Sequence, residues 1–184
     1  EQAQVLNRDN HFLFVGRLSA EKGIDVLLAA FKNTEYNLKI AGDGPLVTKV
    51  KQMASQCANI IYLGSLSNKE VNLELIKTQA LIFPSIWYEG MPMTILEAFS
   101  NKTPVIASNL GAMSSMIQHR KNGLHFEAGN SLDLKSKLSE WIQLSDLEKE
   151  QVRQQAFRSY QTVYAPEQQL QYFDDIYQSV LKSE

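Results

Sequence analysis

Cysteine is almost absent. Cys57 stands alone, which excludes an internal disulfide; with no His or Cys spaced near it for a metal or redox pair, it reads as a packing residue suited to a reducing cytosol. An excess of one charge is lacking too: 18 Lys and Arg against 20 Asp and Glu leave a net −2, so no global basic field awaits nucleic acid or an anionic membrane. No apolar run approaches the length that spans a bilayer, and the first residues carry neither the charged nor the apolar region of a signal peptide. Internal repeats, low-complexity tracts and long charge runs are missing as well. What remains is 44% apolar and 21% charged, the make-up of an ordinary soluble globular protein. At 184 residues the chain is long enough for one well-buried domain and short for two, so 1–184 is read as a single domain.

Glu1 to Asn10 is polar and unpatterned and reads as a linker. After it, short apolar runs alternate with helical patterns. Strands are expected over His11–Gly16, Leu38–Gly42, Asn59–Gly64, Ala80–Pro84, Pro104–Ala107 and Gly123–Phe126, the last near an edge. The first helix, Ile24 to Phe31, has Ile24, Leu27, Leu28 and Phe31 at i, i+3, i+4, i+7. Ser67 with Glu70 forms a capping box, and a short helix is expected from Gly111 to about Arg120. From Ser131 the pattern is purely helical: 132–144, 146–160 and 166–181. Such alternation predicts an α/β, Rossmann-like three-layer domain: a six-stranded parallel sheet covered on both faces, with extra C-terminal helices.

The rest is organised around Trp87-Tyr88-Glu89-Gly90-Met91-Pro92-Met93-Thr94-Ile95-Leu96-Glu97-Ala98-Phe99, which follows the fourth strand. Pro92 suits a first helical position. The helix it opens is apolar on nearly every side, yet holds Glu97, and a carboxylate in such a place calls for a polar partner. A helix start offers unpaired N–H groups and a partial positive charge, and Gly90 lets an anion approach the backbone. Glu97 lies five residues past Pro92, roughly 7.5 Å along the axis, about a diphosphate-to-ribose separation. One reading lays a nucleotide along this helix. The other is a plain strand–loop–helix with one solvated Glu and one salt-bridged Glu, and the residues alone leave the two about even.

The Glu89–Glu97 pair, in the context Glu-Gly-Met-Pro-…-Leu-Glu-Ala, resembles the paired-glutamate signature of the group 1 (family 4) retaining glycosyltransferases. Those enzymes join two Rossmann-like domains in the GT-B architecture, and the signature belongs to the C-terminal, donor-binding one. Gly16-Arg17-Leu18-…-Lys22-Gly23 resembles the same family, as do Ala41-Gly42-Asp43-Gly44-Pro45, Tyr62-Leu63-Gly64, Asn122-Gly123-Leu124-…-Phe126 and Tyr164-Ala165-Pro166-Glu167.

The resemblance implies a donor site with the following parts. Gly16 lets the donor approach the loop, and Arg17 and Lys22 hold its diphosphate. Without it, those two would be solvated loop cations. Gly42, in the second-strand turn, also meets the donor, and Leu63, Gly64 and Leu66 border the base. Glu89 and the Gly90-Met91-Pro92 backbone meet the sugar, the Met93, Thr94 and Ile95 N–H groups meet phosphate, and Glu97 grips ribose. Glu89, Lys22 and Arg17 are the expected catalytic set. No cofactor or metal is implied, since cations and the helix end take the metal's place. Implied partners are a UDP-, GDP- or ADP-sugar, a saccharide or lipid-linked saccharide acceptor, and the enzyme's own N-terminal domain; nucleic acid is not among them. The setting implied is cytoplasmic, with a peripheral station on the inner membrane face as an option for a full-length enzyme in polysaccharide biosynthesis.

Two departures stand out. Lys102 occupies a position where the family usually has Gly and where a helix-ending left-handed backbone would strain a lysine. Ser115 replaces the Glu of the family's Gly-Gly-x-x-Glu. His11, His119 and His125 receive no role. The aromatic stripe of the last helix, with Tyr172, Phe173, Ile176 and Tyr177, reads as packing against the N-terminal domain and is expected to be partly exposed here. Rival readings are a glycosidase using Glu89 and Glu97, a non-catalytic nucleotide-binding module, and a sugar-nucleotide epimerase of the same architecture.

Overall fold

The computed structural model describes residues 8–181, less the side chains of 179 and 180; the remainder of the domain expected over 1–184, and most of the expected linker, lie outside them. In chain order come β1 (Phe12–Val15), α1 (Ile24–Phe31), β2 (Leu38–Ala41), α2 (Val47–Gln56), β3 (Ile60–Gly64), α3 (Asn68–Lys77), β4 (Leu81–Phe83), α4 (Met93–Ser100), β5 (Val105–Ser108), α5 (Gly111–Met116) and β6 (Gly123–Phe126). Then follow α6 (Ser131–Gln143), α7 (Asp146–Ser159), a π-helical turn over Tyr160–Tyr164 and α8 (Pro166–Leu181). The six strands pair in parallel in the order β3-β2-β1-β4-β5-β6. The α/β, Rossmann-like sheet with extra C-terminal helices is therefore as expected, and β6 sits at an edge.

Strand alternation builds two cores. Phe12, Phe14, Ile40, Ile82 and Ile106 face one side and pack with Phe31, Leu138 and Trp141 from α1 and α6. Leu13, Leu81, Phe83 and Val105 face the other and pack with Leu75, Ile95 and Phe99 from α3 and α4. Burial on both faces explains why these strands are unbroken apolar runs. Ser67 and Glu70 form the expected capping box at the start of α3, with Ser67 N–H donating to Glu70 Oε2 at 2.8 Å.

The helix expected to reach Arg120 stops at Met116. Asn122 ends it: its side chain accepts from Gln118 N–H (2.8 Å) and donates to Met116 O (3.1 Å), holding the chain in a turn instead. On α8, Tyr172, Phe173, Ile176 and Tyr177 are exposed as anticipated. No helix among the described residues is long and apolar enough to cross a membrane.

Arg8 corrects the linker expectation. Its Nη1 donates to Leu75 O (2.8 Å), Thr78 O (2.9 Å) and Thr103 Oγ1 (2.8 Å). Its Nη2 donates to Asn101 O (3.1 Å) and Lys102 O (2.8 Å). One guanidinium thus ties the C-terminal ends of α3 and α4, where orphan carbonyls carry partial negative charge. Burial, together with the nearby charge of Arg153, lowers its pKa to about 10, which leaves it fully charged at neutral pH.

The end of α4 needs such a clamp. Thr103 N–H bonds Ala98 O and Lys102 N–H bonds Phe99 O, the paired closure of a Schellman motif. Lys102 takes the left-handed position with φ 55°, so the strain anticipated for a lysine there is present. Its ammonium lies 5.2 Å from the centre of the Phe157 ring, a contact that offsets part of that cost.

Candidate functional site

In this strand order the connections leave β1 and β4 in opposite directions, which makes the gap between their carboxyl ends the switch point where an open α/β sheet binds ligands. A cleft of about 210 Å³ lies there, and Gly16, Arg17, Lys22, Glu89, Met91, Pro92, Met93 and Thr94 line it. Eight of the residues singled out from the sequence therefore meet at one place.

Two loops build its charged wall. The loop after β1 carries Lys22, and the loop after β4 carries Glu89. Ile86 N–H donates to Glu21 O at 2.9 Å, and Gly23 closes the joint. Gly23 has φ +70°, and a Cβ there would stand 1.9 Å from Pro84 O, so only glycine allows the loops to touch. Across the joint, Lys22 Nζ lies 2.7 Å from Glu89 Oε1. Ser85 Oγ lies 2.7 Å from the same oxygen. Arg17 is exposed on the rim.

The start of α4 differs from expectation by one residue. Pro92 is the N-cap, with ψ 92°, and the helix begins at Met93. Ile95 N–H is already bonded to Pro92 O at 2.9 Å, and its side chain is wholly buried. Ile95 is thereby corrected from an anion donor to a core residue: capping geometry closes the first turn onto Pro92. Among the described residues, the N–H groups of Gly90, Met91, Met93 and Thr94 donate to no backbone acceptor. Gly90 is exposed with open space beside it.

Glu97 sits on α4 outside the cleft lining, half-buried. Among the described residues its carboxylate accepts no hydrogen bond and faces no cation. Burial alone pushes its pKa up from the ordinary carboxyl value of 4.5. The sequence alternative of a salt-bridged core glutamate is therefore not what the fold contains. The sign of the pH effect follows. The folded protein retains this proton over a window in which the unfolded chain has released it, so the group's contribution falls as pH rises through that window. Glu97→Gln is expected to raise the ligand-free unfolding free energy at pH 7, with the advantage gone below about pH 4.5. Urea titrations of both proteins across that range check it; an advantage that persisted at acid pH would rule out ionisation as its source.

The remaining predicted residues stand apart from the cleft, at the ends of β2 and β3. Gly42 N–H bonds Gly64 O (2.8 Å), and Tyr62 Oη donates to Gly42 O (2.9 Å). A Cβ on Gly42 would stand 1.8 Å from Gly16 O. Gly42 therefore serves the close approach of two loops, and its N–H and C=O each already have a partner. Leu63 and Gly64 are part-exposed at the end of β3, and Leu66 packs partly against the α4-side core. Ser115 spends its hydroxyl on Ala112 O at 3.0 Å.

Sequence reasoning missed Ser85 and the apolar floor of Phe14, Val15, Phe83 and Pro84. The only signal for Ser85 was a small polar residue directly after a buried strand.

A family model described as "Glycosyl transferases group 1" matches residues 1–158. A glycosyltransferase of Methanocaldococcus jannaschii, itself uncharacterized, is 35% identical over 142 residues, which cover 76% of this chain and 40% of its own length. The O-antigen chain mannosyltransferase C of Escherichia coli is 31% identical over 116 residues, 61% of this chain and 31% of its own. The chain thus spans between about a third and two fifths of these relatives. Among solved structures, Alr3699/HepE of Anabaena in complex with UDP superposes with a TM-score of 0.82 at 18% identity, over 95% of this chain and 50% of that one; this is a likeness of fold.

Proposed function

The chain belongs to the group 1 glycosyl transferases, and from that premise we propose that it is the donor-binding half of a retaining enzyme that moves a sugar from a nucleoside-diphosphate sugar to a saccharide or lipid-linked saccharide acceptor. One observation carries the reading: Lys22, the free N–H groups of Met93 and Thr94 and the rim cation Arg17 converge on one cleft. An uncompensated carboxylate, Glu97, lies farther along the same helix.

Each part has a task. As the bond between sugar and diphosphate breaks, negative charge builds on the leaving oxygen. The helix start and the two cations meet that charge without a metal, and because they already stand in place they cost no reorganisation when it forms. Glu97, lacking a protein partner among the described residues, accepts hydrogen bonds from ribose hydroxyls. Glu89 spends Oε1 on Lys22 and Ser85 and keeps Oε2 for a sugar hydroxyl. A second lobe supplies the acceptor. The UDP held by the Anabaena protein of the same fold and the mannosyltransferase named among the relatives support a nucleotide donor and a glycan product.

A thermal-shift screen of this chain against UDP-, GDP- and ADP-sugars tests the proposal. A donor at 100 times its dissociation constant adds about 2.7 kcal/mol, a rise of roughly 5–10 °C for a domain of this size. Glu97→Gln is expected to cut that response for ribonucleotides. A flat response to all three donors sinks the reading.

A further inference from the structure

Ser85 is 1% exposed, one residue beyond the Pro84 end of the cleft floor. Its hydroxyl has three acceptors within reach: Glu89 Oε1 at 2.7 Å, Glu21 O at 3.0 Å and Trp87 O at 3.3 Å. It carries one hydrogen, and the carboxylate is both the nearest and the charged acceptor, so the proton goes there. Glu89 Oε1 therefore rests on two donors of different character. Lys22 reaches it on a long side chain 27% exposed, whose position four rotatable bonds decide. Ser85 reaches it from a buried β-carbon with one.

We propose that Ser85 is the positioning residue for Glu89: its hydroxyl, and not the Lys22 ammonium, sets where the carboxylate stands. The inference rests on the donor-binding reading above. A diphosphate entering the cleft competes with Glu89 for the ammonium. Were Lys22 the sole anchor, the new anion would draw it off and leave Glu89 both unpaired and repelled. Ser85 cannot follow the phosphate. It keeps Oε1 in place while Lys22, which has three N–H donors, turns the others to the diphosphate. Glu89 Oε2, which accepts no hydrogen bond among the described residues, stays available to the donor sugar. The recognition of sugar is thereby made independent of the recognition of phosphate, although both share one cation.

Two experiments test this, one without ligand. In a crystal structure of Lys22→Ala, Glu89 Oε1 is expected to remain within hydrogen-bond distance of Ser85 Oγ, and in Lys22→Ala with Ser85→Ala it is expected to swing into solvent. A carboxylate released by Lys22→Ala alone overturns the proposal, whether or not any nucleotide binds. The second experiment uses whichever of UDP with UDP-glucose, GDP with GDP-mannose or ADP with ADP-glucose stabilises the wild-type chain. Ser85→Ala is expected to weaken the sugar nucleotide about tenfold, the loss of one hydrogen bond to a charged group, and to leave the free diphosphate within about twofold. Ser85→Thr, which keeps the hydroxyl, is expected to restore most of the difference. Equal losses for sugar nucleotide and diphosphate overturn it, because a merely structural serine would affect both alike.

Discussion

Arg8→Ala is expected to lower the unfolding free energy by about 3 kcal/mol, read as a fall in melting temperature of about 6–12 °C for a domain of this size. The side chain gives five hydrogen bonds to four carbonyls and one hydroxyl. Its loss strips partners from the last turns of both α3 and α4. Each buried acceptor left bare costs about 1–3 kcal/mol, which summed over five would exceed the figure given. Water entering the hole recovers part of that sum, and Thr103 keeps a bond to Leu75 O at 2.7 Å. Arg8→Lys is expected to recover less than half, because one ammonium nitrogen cannot stand where two guanidinium nitrogens do. Urea unfolding with unchanged m-values checks both variants. A loss under about 1 kcal/mol for Arg8→Ala would mean that the carbonyls are served by solvent and that the clamp is incidental.

That residue also marks where reading from sequence stopped. Ile24 to Phe31 was recovered to the residue because its apolar spacing is local and its burial matches: Ile24, Leu27, Leu28 and Phe31 all face the core. The capping box at Ser67 and Glu70, and the strand alternation that splits Phe12 and Phe14 from Leu13, depend on neighbours two to four positions away. Arg8 has no such signature. Its acceptors lie 67 to 95 residues along the chain, and a lone arginine in a polar stretch looks like any solvated one. The π-helical turn at Tyr160–Tyr164 was hidden in the same way, inside a pattern helical on either side.

The site was readable in part. Glu89 and the mouth of α4 were placed by their order along strand, loop and helix, Lys22 only by the family resemblance, and the fold brings them together. What the sequence could not disclose was how backbone groups are spent. Ile95 N–H and Gly42 N–H look free on paper, yet a capping bond takes the first and a neighbouring strand end takes the second. The identity of a residue says little about its backbone hydrogen bond, which depends on the conformation of residues around it.

Lys22→Ala is expected to weaken binding of nucleoside diphosphates about 100-fold and to leave the corresponding nucleoside within about twofold. The figure is that of a charge-assisted hydrogen bond to phosphate in a partly desolvated cleft, about 2.7 kcal/mol. Lys22 is the better placed of the two cations. It stands inside the lining, 2.7 Å from Glu89 and 5.9 Å from the centre of the Phe83 ring, where water screens it little. Arg17 is exposed on the rim, so Arg17→Ala is expected to cost only about fivefold, the scale of an exposed ion pair. Salt separates the two. Raising ionic strength to about 0.5 M should abolish most of the Arg17 effect and leave most of the Lys22 effect, because screening acts on the exposed charge first. Calorimetric titration of UDP and uridine, or of whichever nucleotide pair the chain accepts, reads all three fold-changes and their dependence on salt. Equal losses for nucleotide and nucleoside would mean that Lys22 touches no phosphate. Its bond to Glu89 would then be what the side chain is for, a strut between two loops, and the anion site would have to be sought elsewhere along the sheet's carboxyl edge.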